Sequence, residues 1–271
     1  MPKVKVGDIN MYYEVHGKGE PFVMIAGIIC SIAFWFKAIP VFSREYRLVV
    51  FDNRGAGRSD APDIPYTIEM MADDLAGLLD VIGIDSAHIL GHSLGGAVAQ
   101  QFALCYPRRL RSLILASTGF GGPHAVKINN PEVTRFFERM PSLPLKESMV
   151  EGLHLMFSQE FIDKEPGLMK EYIAKTMEHP APPQGLIRQG QAVMGHNTYE
   201  RLPEIKAPTL VITGDADMFG SAENSKIMAS RIPGAELVIL KNMGHGFMFE
   251  AEDESNRIML DFLQRHSTKK A

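Results

Sequence analysis

Short, almost continuously apolar runs alternate with helix-patterned segments along this chain, and that rhythm restricts its fold more than any other feature. The runs cover residues 22–26, 48–51, 87–90, 113–116, 209–213 and 237–240. Runs this apolar suit parallel strands covered on both faces. Residues 9–15 alternate instead, with Met11, Tyr13 and Val15 on one side, which predicts an antiparallel strand at the sheet edge. Between the runs, Thr67 is placed to cap a helix carrying Ile68, Met71, Leu75, Leu78, Leu79 and Ile82, and Gly83 ends it. Residues 94–106 read as a second helix stopped before Pro107, and 222–231 and 253–266 as two more. In the last of these, Ile258, Met259, Phe262 and Leu263 form the buried stripe. Strand–helix alternation with short connections predicts an α/β fold around a doubly wound, mostly parallel sheet.

One region breaks the rhythm. Residues 121–203 carry no strand pattern, only helical patterns at 132–140, 147–157 and 167–178, separated by Pro141, Pro144, Pro166, Pro180, Pro182 and Pro183. The expected organisation is therefore a sheet domain built from 1–120 and 204–271, interrupted by a helical insertion, 121–203. Composition limits the rest. With 45% hydrophobic and 22% charged residues the chain is not a disordered one. A net charge of −4, and no basic run longer than two residues, exclude the basic footprint of a nucleic-acid binder. The apolar stretch 22–36 has Ser31 as its one polar side chain, but it falls short of the roughly 20 residues of a bilayer span, with Gly27 inside it. It reads as a strand, a tight loop and a helix start, so no membrane role is expected. The first residues lack a signal-peptide pattern, and Cys30 and Cys105 form neither a metal spacing nor a disulfide framework. A cytoplasmic location is the expectation.

The chemistry begins at Gly91-His92-Ser93-Leu94-Gly95-Gly96, which follows one strand and opens a helix. A serine on so sharp a turn has its hydroxyl pushed clear of the sheet, and side chains two positions away would clash with the turn, hence the glycines. The Leu94 N–H then points to where an oxyanion would develop. A serine hydroxyl needs a base, usually histidine, held by a carboxylate. Asp215 and Asp217 follow the strand at 209–213, and His245 follows the strand at 237–240. Both groups sit at carboxyl ends of parallel strands, where such sheets build their sites. Asp215, nearer the strand end, is expected to bond its own turn's amides. His92 is expected to point away from the serine and to be structural.

These motifs resemble those of the α/β-hydrolase superfamily over nearly the whole chain: Gly-His-Ser-Leu-Gly-Gly at 91–96, Gly-Asp-Ala-Asp at 214–217, Gly-His at 244–245, and the turn Asp52-Asn53-Arg54-Gly55-Ala56-Gly57-Arg58-Ser59. The resemblance implies an eight-stranded sheet, a helical cap at 121–203, and a triad of Ser93, Asp217 and His245. In the superfamily the 52–59 turn is structural. The resemblance also implies that the Ile28 amide joins that of Leu94 in the oxyanion hole, although Ala26 stands where relatives usually carry histidine. Trp35, Phe136, Met156, Phe157 and Phe247 are candidate substrate contacts, with Phe137, Met140, Leu153 and Met177 as further cap residues that line the pocket or fill the cap core. The implied reaction is hydrolysis of a small-molecule carboxylic ester or lactone with no metal or organic cofactor, and a homodimer is compatible with it. The segments 57–62, 65–68 and 72–75 are similar to the enol-lactonase branch. A C–C bond hydrolase, a cofactor-free haloperoxidase, and a slowly hydrolysing ligand receptor are the alternatives. Ser93 in place of Asp argues against a haloalkane dehalogenase.

Overall fold

The structure is a computed structural model, and it describes residues 3–127 and 129–268. Eight strands form one sheet: β1 (Lys3–Val6), β2 (Ile9–His16), β3 (Glu20–Ile25), β4 (Tyr46–Phe51), β5 (Ala87–His92), β6 (Leu110–Ala116), β7 (Thr209–Gly214) and β8 (Glu236–Leu240). Their spatial order is β1-β2-β4-β3-β5-β6-β7-β8. β1 and β2 are antiparallel, and every pairing from β4 to β8 is parallel. The helices, in chain order, are α1 (Ile39–Phe42), α2 (Ile68–Val81), α3 (Leu94–Cys105), α4 (Pro131–Arg139), α5 (Leu145–Met156), α6 (Gln159–Lys164), α7 (Pro166–Glu178), α8 (Pro183–Gly195), α9 (Ala222–Arg231), α10 (Phe247–Glu250) and α11 (Glu252–His266).

Alternate residues of each strand feed two apolar layers. Val23, Ile25, Val49, Phe51, Ile89 and Leu115 join α2, α3 and α9 on one face. Phe22, Met24, Leu48, Val50, Leu90 and Ile114 join Trp35, Phe42 and α11 on the other. This is why the central runs read as uninterrupted apolar sequence. Thr67 caps α2 by accepting from the Met70 amide, and Gly83 follows the helix at φ +67°. The buried Ile68, Met71, Leu75, Leu78 and Leu79 each contribute about 1.5–3 kcal/mol of burial to docking that helix.

The expected edge strand is corrected. Residues 9–16 form β2, which is antiparallel but not outermost, because β1 covers its free side. Val6 pairs with Ile9 across a two-residue Gly7-Asp8 turn, with Gly7 at φ +52°. That dipeptide is a hairpin signal, and β1 is a four-residue Lys-Val alternation with Val6 buried. Val15, which shares a side with Met11 and Tyr13 by alternation, is 40% exposed.

α4–α8 lie between β6 and β7 in the chain. Where this segment leaves and rejoins the sheet it is stitched shut. Gly121 bridges Asn197, the Thr198 amide donates to the Phe120 carbonyl, and the Thr198 hydroxyl donates to Gln100. α6 and α8 are additions to the three expected helices. α8 contains Gly185 and Gly190, ends at Gly195, and buries Gly185, Gln189 and Ala192, so no apolar stripe announces it.

Candidate active site

Ser93 sits between β5 and α3 at φ 55° and ψ −120°, a positive-φ backbone conformation rare outside glycine. Such strain costs on the order of 1–3 kcal/mol and persists only where the surroundings enforce it. Here they do. The Ser93 amide donates to the Ala116 carbonyl (3.0 Å), and its own carbonyl accepts from the Thr118 hydroxyl (2.7 Å). A Cβ at Gly91 would clash with the Gly95 carbonyl, and one at Gly95 with the Ile25 carbonyl. Both glycines are therefore dictated by close packing of the turn against its own helix and against β3. Leu94 is the first residue of α3, and an N–H there has no acceptor within the helix.

Asp217 lies past the end of β7 and His245 past the end of β8. Both are buried. His245 Nδ1 and Asp217 Oδ2 are 2.8 Å apart, and the other Asp217 oxygen accepts from the amides of Phe219 (2.8 Å) and Gly220 (3.0 Å). Burial pushes the Asp217 carboxyl upward. The adjacent His245 and the two amides outweigh that and hold it below the ordinary carboxylate value, so it stays charged. Asp215 has another partner: its Oδ1 accepts from the Asn242 amide at 2.6 Å. That corrects the expectation of a bond within its own turn. Asp215 instead pins the loop that carries His245.

His92 lies against the same loop. Its ring is buried between Phe34 and His245, with centroids 4.8 Å from each. Its Nε2 lies 3.0 Å from the His245 carbonyl oxygen. Donation there needs a proton on Nε2, as in the neutral ring with Nδ1 bare. Burial, with the nearby His245 second, drives its pKa down to about 3, consistent with that state. His92 acts directly on the loop that holds His245. Phe219 also meets the His245 ring, edge to face, with centroids 5.0 Å apart.

The loop after β3 presses against the serine: a Cβ on Gly27 would come within 3.2 Å of the Ser93 Cβ. Gly27 and Cys30 close a turn through a 3.2 Å amide–carbonyl bond. Ile28 and Ile29 are its two central residues, and Ile29 has φ 54°. The 52–59 turn supports this loop. Asp52 accepts from the Ile32 amide (2.6 Å), and the Asn53 side chain donates to the Ala26 carbonyl (3.2 Å). Arg54 turns its guanidinium away, onto Asp74 and Asp8. A residue that sequence reasoning missed, Gln189 of α8, completes the support: its Oε1 accepts from the Ile29 amide at 2.6 Å and its Nε2 donates to the Arg54 carbonyl at 2.7 Å.

The candidate substrate contacts divide. Trp35 and Phe247 are 1% and 0% exposed and pack in the apolar layer with Phe34 and Phe249. Phe157 is also buried, packed with Phe161, Tyr172 and Phe249 and pressed against Gly246, the residue after His245. Met156 is half-buried, and its carbonyl accepts from the Gly246 amide at 2.8 Å. Phe136 is half-buried on α4 with its ring against Gly152 of α5. Leu153 is buried, and Met140 and Met177 are half-buried; the Phe137 side chain lies outside those described. Among the described residues no cluster of His, Cys, Asp and Glu could hold a metal ion, and no helix is long and apolar enough to cross a membrane.

With the sheet order, the strained strand-to-helix serine and the Asp217–His245 pair in view, comparison with known proteins gives the class. The alpha/beta hydrolase fold family matches residues 20–252, and the chain belongs to that family. It is a hydrolase, and its relatives differ in what they act on. A protein of Stutzerimonas stutzeri named "Putative carbamate hydrolase RutD" is 30% identical over 260 residues, covering 93% of this chain and 96% of the relative. The 2-hydroxy-6-oxo-6-phenylhexa-2,4-dienoate hydrolase of Burkholderia cepacia is 31% identical over 266 residues, 95% of this chain and 92% of that one. A solved thermophilic esterase of Thermogutta terrifontis superposes with a TM-score of 0.85 at 26% identity, covering 98% of this chain and 100% of the esterase.

Proposed function

We propose that this chain is a serine hydrolase of an uncharged carboxylic ester or lactone. The observation that carries the proposal is the buried Asp217–His245 pair, set 2.8 Å apart against the turn that presents Ser93. Ser93 Oγ attacks the carbonyl carbon while His245 Nε2 takes the hydroxyl proton. Asp217 holds Nδ1–H and stabilises the imidazolium. The amides of Leu94 and Ile28 receive the developing oxyanion, a role in which one donor is worth about 3–4 kcal/mol of barrier. The proton then passes from His245 to the leaving alcohol. Water, deprotonated by the same nitrogen, attacks the acyl-enzyme and releases the acid. Helices within 121–203 act as the cap over this site, and the partner is a small molecule. A reducing, cytoplasmic setting suits the two free cysteines.

The identity with the dienoate hydrolase favours a second reading, cleavage of a C–C bond in a charged substrate. The cap's arginines speak against it. Arg139 pairs with Glu151 at the surface, Arg188 with Asp63, and Arg135 is exposed with its Nε on its own helix's Pro131 carbonyl. None of the three is placed to greet a carboxylate at Ser93. Turnover of short p-nitrophenyl esters tests the proposal: the protein hydrolyses them above the buffer rate and Ser93→Ala does not. Rates equal to buffer across acyl lengths would instead favour a ligand receptor.

A further inference from the structure

We infer that Gln189 is a positioning residue for the oxyanion hole, through which α8 holds the catalytic loop in its strained form. The inference rests on the serine-hydrolase reading for its effect on rate, but not for its geometry. Ile29 is β-branched and sits at φ 54°, where such residues are genuine outliers. A conformation like that persists only if something outside the loop enforces it. The partner recorded for the Ile29 amide is the Gln189 Oε1, at 2.6 Å. Gln189 is itself fully buried. Its other amide end is fixed on the Arg54 carbonyl at 2.7 Å, so the side chain can neither rotate nor flip without leaving a buried polar group unpaired.

The consequence follows from chain connectivity. Ile28, whose amide is the proposed oxyanion donor, is one residue from the anchored amide and within the same Gly27–Cys30 turn. Ala26 supplies no polar side chain where one would otherwise shape this loop from within, and the hold comes from across the molecule, 160 residues along the chain. Since α8 also packs Gly185 against Gly55 backbone to backbone, seating of α8 and formation of the hole become one event. Displacing α8 frees Ile29 to relax to negative φ and carries the Ile28 amide out of register with Leu94.

The test uses the full-length protein and Gln189→Met, which keeps length and bulk but neither hydrogen bond. Amide hydrogen exchange over residues 28–30 is expected to speed up in the variant, while exchange in the central strands stays as in the wild type. With a p-nitrophenyl ester, kcat is expected to fall at least about tenfold with KM within about twofold, the pattern of an interaction made in the transition state. In an Ile29→Gly background, where positive φ costs nothing, the same Gln189→Met change is expected to cost at least about threefold less. Unchanged exchange at 28–30 would overturn the inference. So would faster exchange with unchanged kcat, or an equal cost in both backgrounds. If the wild-type protein turns over no ester, the hydrolase reading falls and the exchange result alone decides whether Gln189 holds the loop.

Discussion

Asp215 and Asp217 are two residues apart on one turn, yet their partners assign them different tasks. Asp217 faces His245 Nδ1, whereas Asp215 accepts from the Asn242 amide on the neighbouring loop. Asp217→Asn is expected to cut kcat by about four orders of magnitude, because an amide at that position leaves the imidazole in the wrong tautomer. Asp215→Asn keeps an acceptor oxygen toward Asn242 and is expected to cost only about 1 kcal/mol of stability, with kcat nearly unchanged. Steady-state kinetics on the two variants check this; a dead Asp215→Asn beside an active Asp217→Asn would reverse the assignment. At this scale the sequence speaks clearly where glycines enforce geometry, as at Gly91 and Gly95 around Ser93. It is silent about Gln189, and about the His92 contact with the His245 carbonyl, because each joins segments that only the folded chain brings together, 160 and 153 residues apart.

Among the elements, the short α10 links the His245 loop to the helical segment. Its last residue, Glu250, accepts from the Ser158 amide ahead of α6 (2.7 Å) and from the Gly244 amide beside His245 (2.7 Å). With the Gly246 amide on the Met156 carbonyl, the α5–α6 junction and the His245 loop become one hydrogen-bonded unit. Glu250→Ala strips both amides of a charged acceptor and is expected to cost about 1.5–3 kcal/mol or more, and to lower kcat. Glu250→Gln, which keeps one acceptor oxygen, should lose less. Urea unfolding and kcat read both, and wild-type values for the alanine variant would show the link to be idle. The central strands are legible in sequence because both faces are buried in apolar layers, and α2 and α11 because each buries an apolar stripe at helical spacing. β1 and α8 are not: one is only four residues long, and the other docks by glycine contacts and a glutamine.

For the molecule as a whole, acid should loosen the fold before it reaches the carboxylates. His92 and His196 are buried and uncharged; burial, the largest influence on each, brings them down to about 3 and about 4. An unfolded histidine titrates near 6.5, so between that pH and about 4 the unfolded chain binds protons the folded chain refuses. Stability is therefore fully present above pH 6.5 and falls below it, by about 2 kcal/mol per histidine at pH 5. His88, also buried and lowered, adds in the same direction. Glu20 acts only later. Burial raises it, but Thr268 and His88 together outweigh burial and hold it at about 2, so its contribution is lost as pH drops below about 4.5. Urea midpoints at pH 7.5, 6 and 5 should decline steadily, and a flat series would contradict the buried neutral histidines. The doubly wound sheet was readable from apolar rhythm, whereas the histidine burial depends on packing that no local pattern encodes.

The central claim, that Ser93 is an activated nucleophile, has one direct measurement. Intact-mass analysis after treatment with a fluorophosphonate, followed by peptide mapping, is predicted to show a single adduct, located on Ser93 and missing from a folded Ser93→Ala variant, because only a hydroxyl with a base beside it reacts. No adduct on the native protein, or an adduct on any other residue, would contradict the account.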